Sequence, residues 1–175
     1  QSLEDLRAAG EFIRDRSVPF FILGAGSNVL FDDAGFDGLV LHTTKLDTRL
    51  IEDPGTQPAQ PGALISLSVG TSTMVIQVLR HCMKRGIAGL DFLAGIPGSM
   101  GGVFCMNAGT TLGEVKDGVT EIAIFDLFTG KERTVYGAEL AFSYRKNHFV
   151  TPSEIILRGK LLGTLDEPKA VQDRI

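Results

Sequence analysis

Tryptophan is absent, cysteine occurs twice and histidine three times in the 175 residues. Cys82 and Cys105 stand 23 positions apart, in neither a CxxC pair nor a dense framework, which argues against a zinc ribbon, a dithiol redox centre and a disulfide scaffold. Both read as buried thiols. His42, His81 and His148 fall at no ligand spacing and read as structural histidines, so no metal site is expected. No apolar run approaches the roughly 20 residues of a membrane span, and no charged-then-apolar leader opens the chain. No membrane partner is expected, and the cytoplasm is the default location. Lysine and arginine form no block and the formal net charge is -4, which speaks against nucleic acid as a partner. A bound anion must therefore rely on backbone N–H groups.

What is present is glycine: 21 residues, beside a composition (43% hydrophobic, 22% charged) suited to one compact globular unit. Such an excess calls for backbone that turns sharply or lies close to something. Ser2 caps a helix carrying Leu3, Leu6, Phe12 and Ile13 to near Arg16. Val18 to Leu23 reads as a buried strand leaving through Gly24-Ala25-Gly26-Ser27-Asn28, and Phe36 to Thr43 as a second strand. Asp53 to Gly62, dense in Pro and Gly, reads as an exposed loop. Ala63 to Val69 alternates with Ala63, Ile65, Leu67 and Val69 inward. Thr71 or Ser72 is expected to cap a helix to Arg85, stopped by Gly86. Eight glycines from Gly86 to Gly113 are too dense for a plain helix or strand. Val119 to Leu127 and Glu132 to Tyr136, joined through Gly130, predict a hairpin. Ile155 to Gly163 is the last strand, and a helix starts at Glu167. The mixture predicts an α+β fold, with one domain over 1–163 and an unfinished helix in 164–175. Both ends read as cut, so a fragment of a longer protein is expected.

Three segments carry chemistry. The loop Gly24, Ala25, Gly26, Ser27 and Asn28 follows a strand and lets successive N–H groups converge, as a pyrophosphate requires. An ordinary strand-ending turn fits equally well, and Val29 stands where the GxGxxG dinucleotide fingerprint needs its third glycine, which disfavours a Rossmann site. The run Ala94-Gly95-Ile96-Pro97-Gly98-Ser99-Met100-Gly101-Gly102, followed by Asn107-Ala108-Gly109, is more specific: glycines admit a flat ring or phosphate to the backbone beside a stiff apolar wall. A buried glycine-rich crossover without ligand is its plain structural counterpart. The third, Phe142-Ser143-Tyr144-Arg145-Lys146-Asn147, reads from spacing alone as a solvated Arg beside a surface Tyr.

In this order the segments resemble the UDP-N-acetylenolpyruvoylglucosamine reductase family of bacterial cell-wall synthesis. The resemblance runs through Gly24 to Asn28, Gly35 to Gly38, Gly89 to Gly109, and Phe142, Tyr144 and Arg145. It implies an FAD-binding domain of the vanillyl-alcohol-oxidase (PCMH-like) type whose substrate domain is absent, and makes the helix in 164–175 the start of a linker to that domain. The implied reaction is reduction of a UDP-sugar enolpyruvyl group, with NADPH as reductant of FAD. The implied cofactor-binding residues are Gly24, Ala25, Gly26, Ser27, Asn28, Pro97, Gly98, Gly101, Gly102, Cys105, Ala108, Gly109 and Ile155. Arg145 matches the family's active-site arginine, which counters charge developing in an enol intermediate. Two departures stand out: Thr110-Thr111 replaces an Ala-Tyr pair, and Asn147 replaces a serine. The family's proton-donating serine and its partner glutamate have no counterpart here, so the chain alone is expected not to turn over substrate. The alternatives are another flavin oxidoreductase of this architecture and a non-catalytic flavin-binding module.

Overall fold

The computed structural model describes residues 2–53 and 60–175. The chain begins with α1 (Leu3–Arg16), held by a reciprocal capping box: Asp5 N–H donates to Ser2 Oγ at 3.2 Å and Ser2 N–H to Asp5 Oδ2 at 2.7 Å. Its buried residues Leu6, Gly10 and Ile13 recur at helical spacing. The strands β1 (Phe20–Leu23) and β2 (Leu39–His42) then pair in parallel. They are followed by β3 (Leu50–Asp53), β4 (Leu64–Gly70), α2 (Val75–Arg85) and β5 (Ile87–Ala88). The glycine-rich middle contains α3 (Met100–Cys105), β6 (Gly109–Thr110), β7 (Gly113–Glu114) and α4 (Val115–Gly118). The chain continues with β8 (Val119–Asp126), β9 (Glu132–Tyr136), the short hairpin β10 (Phe142–Ser143) and β11 (Lys146–Asn147), the long β12 (Glu154–Leu165) and α5 (Pro168–Arg174).

A six-stranded antiparallel sheet forms the frame, in the order β3-β4-β12-β8-β9, with β5 paired to the far end of β12. Alternation along its strands serves two cores. Ile65, Leu67, Val69, Ile122, Ile124, Ile156 and Leu161 pack toward α2 and α3, whereas Ala123, Phe125, Ile155 and Leu157 pack toward α1, β1 and β2. The inward set expected for β4 is therefore the observed one, with Leu64 exposed. Two glycines fix the layer spacing. A Cβ on Gly159 of β12 would meet the Phe104 ring of α3 at 2.5 Å, and one on Gly10 would collide with the backbone of Leu127.

Three expectations need correction. Neither Thr71 nor Ser72 caps α2; its N-cap is Met74, and Ser72 Oγ instead accepts Leu46 N–H at 2.9 Å and Asp47 N–H at 3.0 Å, tying the segment after β2 to the sheet. Gly86 does stop α2, with φ 72°. Glycine density does not prevent a helix in the middle segment, because Gly101 and Gly102 lie in the two-turn α3. Its first residues are fixed by sheet-like bonds, Met100 N–H to Thr73 O and Gly101 N–H to Thr71 O, both 2.9 Å. Cys82 is fully buried as expected, and burial pushes its thiol up to about 12, but Cys105 is exposed. The Pro- and Gly-rich stretch is described only at its edges; residues 54–59 lie outside the described residues, and Gln60 to Gly62 are exposed.

Among the described residues the one buried acidic side chain is Glu154, at the start of β12. Burial pushes its carboxyl up, but Arg133 Nε at 2.6 Å, Arg133 Nη2 at 2.9 Å and Thr151 N–H at 2.8 Å outweigh that, and its pKa is lowered on balance. A carboxyl depressed in the folded state contributes stability above its unfolded pKa, about 4.3, and loses it as pH falls through the lower folded value. Arg133 is half-exposed, which discounts the pair. Glu154→Gln should cost about 1–2 kcal/mol at pH 7, and the loss should shrink as pH is taken below about 4. Denaturant midpoints of both proteins at pH 7 and pH 3.5 check this; an equal gap at both values would refute it.

Candidate functional site

The two principal glycine segments, about seventy residues apart in sequence, are side by side in space. Ser27 Oγ donates to Pro97 O at 3.2 Å. A Cβ on Gly24 would stand 3.0 Å from Ser99 Oγ; one on Gly98, whose φ is +104°, would collide with Ser27 Oγ. The seam thus holds the Ser27 and Ser99 hydroxyls and leaves no ready room for a further side chain at Gly24 or Gly98. Val75 N–H donates to Gly98 O at 3.0 Å, and Ser99 bridges Met74 in antiparallel fashion, so the N-terminus of α2 anchors the second loop to the sheet.

Beside the seam the backbone is open. Around Gly26 (φ +77°), Gly95 (φ +79°) and Gly102 no heavy atom lies within 4 Å of where a Cβ would sit. Ala25, Gly26, Ser27 and Asn28 are exposed, and among the described residues their N–H groups donate to no protein acceptor. Four successive free donors, with no Lys or Arg in the loop, form a neutral cradle for an anion. The donor set fits the diphosphate of a dinucleotide.

The remaining candidate positions differ in what they do. Gly101 abuts Thr71 Oγ1, which leaves no room for a Cβ. Gly109 pairs with Glu114 across β6 and β7, and Ala108 is buried beneath them. Cys105 ends α3, its sulfur 3.7 Å from Asn147 Nδ2. Ile155 is not brought to the glycine seam by its side chain, which is buried in the α1-side core. Arg145 occupies the tip of the β10–β11 hairpin with φ 57°, exposed, its guanidinium 5.9 Å from the Tyr144 ring centroid.

Asn107 and Asn147, not among the expected site residues, join these parts. Asn107 is 1% exposed with φ 43°. Its Nδ2 donates to Glu114 Oε2 at 2.8 Å and Ser143 O at 3.1 Å, and its Oδ1 accepts Lys116 N–H at 3.0 Å. Asn147 Nδ2 donates to Cys105 O at 2.8 Å, and its Oδ1 accepts Val150 N–H at 2.9 Å. The available signal was an asparagine at a helix end ahead of Ala-Gly, since Asn tolerates a left-handed backbone better than most residues. Hydrogen bonds from Lys116 and Asn107 hold the Glu114 carboxyl below its usual range. A separate cavity of about 250 Å³, lined by Asp47, Arg49, Ile51, Ser68, Gly70 and Arg158, shares no residue with either glycine loop. Among the described residues no group of His, Cys, Asp or Glu could hold a metal ion, and no helix is long and apolar enough to cross a membrane.

Residues 1–135 match the family described as FAD binding domain. A UDP-N-acetylenolpyruvoylglucosamine reductase of Phenylobacterium zucineum is 35% identical over 159 residues, 90% of this chain and 50% of the relative. The chain spans about half the length of the curated relatives it matches. The crystal structure of the UDP-N-acetylenolpyruvylglucosamine reductase of Thermus caldophilus superposes with a TM-score of 0.68 at 29% identity, covering 96% of this chain and 56% of that one. A solvent-stable cholesterol oxidase gives a TM-score of 0.66 at 14% identity over 92% of this chain and 33% of its own, a likeness of fold alone.

Proposed function

Because the chain belongs to the FAD-binding domain family, as the FAD-binding portion of a protein of the UDP-N-acetylenolpyruvoylglucosamine reductase type, we propose that it serves the NADPH-dependent reduction of a UDP-N-acetylglucosamine enolpyruvyl ether in the bacterial cytoplasm. The observation that carries this reading is the seam of two glycine loops with four free N–H donors along one side. In it, Gly24 to Asn28 receive the pyrophosphate of FAD, and Pro97 to Gly102 offer a wall and an open backbone for the rest of the cofactor. Gly101, Ala108 and Gly109 shape that wall from behind, Cys105 lies at its end, and Ile155 supports the sheet beneath. FAD, when bound, supplies the hydride acceptor and donor.

The protein residues then bind the cofactor and manage charge. Adding hydride to the enolpyruvyl double bond puts negative charge on the carboxylate-conjugated carbon, and Arg145 is the cation we assign to counter it. The carbon that gains charge must also receive a proton from a positioned acid. The local groups are unsuited: Ser99 is buried, Ser143 Oγ is engaged with His148 Nε2 at 2.8 Å, and Glu114, its pKa lowered, is ionised at neutral pH. None of these local groups is fit to be that donor.

The test is flavin binding by this chain, read from the visible absorbance and quenched fluorescence of added FAD. Gly98→Val forces a β-branched residue to φ +104° and drives its Cβ into Ser27. A strain of about 1–3 kcal/mol should weaken FAD binding roughly 5- to 150-fold without unfolding the sheet. Because the cradle is built from neutral N–H groups, wild-type affinity should change little between 50 mM and 500 mM salt. Undiminished FAD binding by Gly98→Val would remove this site.

A further inference from the structure

We propose that Asn107 and Asn147 are positioning residues that set where Arg145 stands, a role distinct from cofactor binding and resting on the assignment of Arg145 above. The β10–β11 hairpin has only two residue pairs, Phe142 with Asn147 and Ser143 with Lys146, closed by Tyr144 and Arg145. A two-stranded ribbon of this size has no stability of its own. Its base is packed: the Phe142 ring meets Phe149 edge-on at 5.0 Å, and both rest on the main core. Its strands are fixed otherwise. Asn107 Nδ2 reaches Ser143 O on the first strand, and Asn147 Nδ2, from the second, reaches Cys105 O at the end of α3.

Both bonds converge on the same anchor, residues 105–107, at the C-terminal end of α3, the helix that contains Gly101 and Gly102. The tip is thereby registered to the glycine wall rather than to the sheet. Every polar atom of the Asn107 side chain is engaged in this anchor, with one N–H to the hairpin, the other to Glu114, and the oxygen to Lys116 N–H. A buried amide so satisfied has one orientation, since any rotation leaves a donor or acceptor unpaired. Arg145 itself adopts φ 57°, a conformation disfavoured for arginine that persists only where its surroundings impose it. Both strands adjoining it are held by asparagine amides, so the imposed turn is the one that aims the guanidinium.

Asn147→Asp tests this with an isosteric change: Oδ1 still accepts Val150 N–H, but the donor to Cys105 O is lost. Asn147→Ala, which removes the whole amide, is the second variant and guards against an effect of the introduced charge. In this chain, limited trypsin cleavage of the Arg145–Lys146 bond should accelerate at least tenfold in either variant, with the melting curve and FAD binding retained. In the full-length reductase, reduction of the flavin by NADPH should stay within about twofold of wild type. Its reoxidation by the UDP-sugar should slow tenfold or more, since displacement of a catalytic group by about 1 Å can cost up to 10²-fold. Asn147→Asp combined with Arg145→Ala should be no slower than Arg145→Ala alone. Unchanged cleavage, or rate losses that multiply in the double variant, would overturn the positioning role. A wild-type protein that is not reoxidised by the UDP-sugar would instead overturn the functional assignment, and the tryptic rate would still decide whether the clamp holds the hairpin.

Discussion

On the proposed function, Arg145→Ala in a reductase that carries this chain is expected to lower kcat about 10²- to 10³-fold, the usual loss when a preorganised charge donor is removed, while FAD content stays at the wild-type level. The two quantities separate because Arg145 is at the hairpin tip and the free N–H donors are on the loop after β1. If the guanidinium acts on charge that appears only during hydride transfer, kcat and kcat/KM should fall together and KM should hardly move. Arg145→Lys should recover part of the loss, since it restores a cation without the planar fork. Steady-state rates beside the flavin-to-protein absorbance ratio decide the matter: parallel loss of rate and flavin would make Arg145 a structural residue.

Gly10→Ala should destabilise the protein although alanine is the better helix former. Propensity favours the substitution by about 0.5–1 kcal/mol. Against it stands the overlap of the new Cβ with the Leu127 carbonyl in the turn after β8, where backbone rather than a rotatable side chain must yield. Overpacking of this kind costs about 1–3 kcal/mol, and here the upper end applies because α1 would have to lift from Phe125, Leu127 and Ile155 together. The net loss of about 2 kcal/mol should lower Tm by about 4–8 °C for a domain of this size. A higher Tm for the variant would show that the helix can shift freely.

Local chemistry made much of the frame legible. The Ser2 cap, the alternation of β4, the Gly130 hairpin and the Gly86 stop are each written in contiguous residues, and each is found where those residues place it. What failed were assignments that tertiary contacts decide. Ser72 looks like a helix cap, but its hydroxyl accepts N–H groups from Leu46 and Asp47, some twenty-five residues away. Gly101 and Gly102 look too permissive for a helix, yet α3 is held by bonds to Thr71 and Thr73. The candidate site followed the same rule. Its glycines stand in short motifs, whereas the meeting of Ser27 with Pro97 and the amide bonds of Asn107 and Asn147 span gaps of 36 to 70 residues that no local pattern encodes.

The position of β12 at the centre of the sheet has a consequence for synthesis. Its partners β4 and β8 are complete by residues 70 and 126, and each can pair on its outer side with β3 or β9, but their inner edges lack β12 until residue 165 has been made. At 5–20 residues per second, the 95 residues between the end of β4 and the end of β12 take roughly 5 to 19 s. During that interval Ile65, Leu67 and Val69 have no strand to complete their side of the core, and the open edges of β4 and β8 can pair with each other or with other chains. A pause after β12 has emerged would therefore favour folding more than one before it.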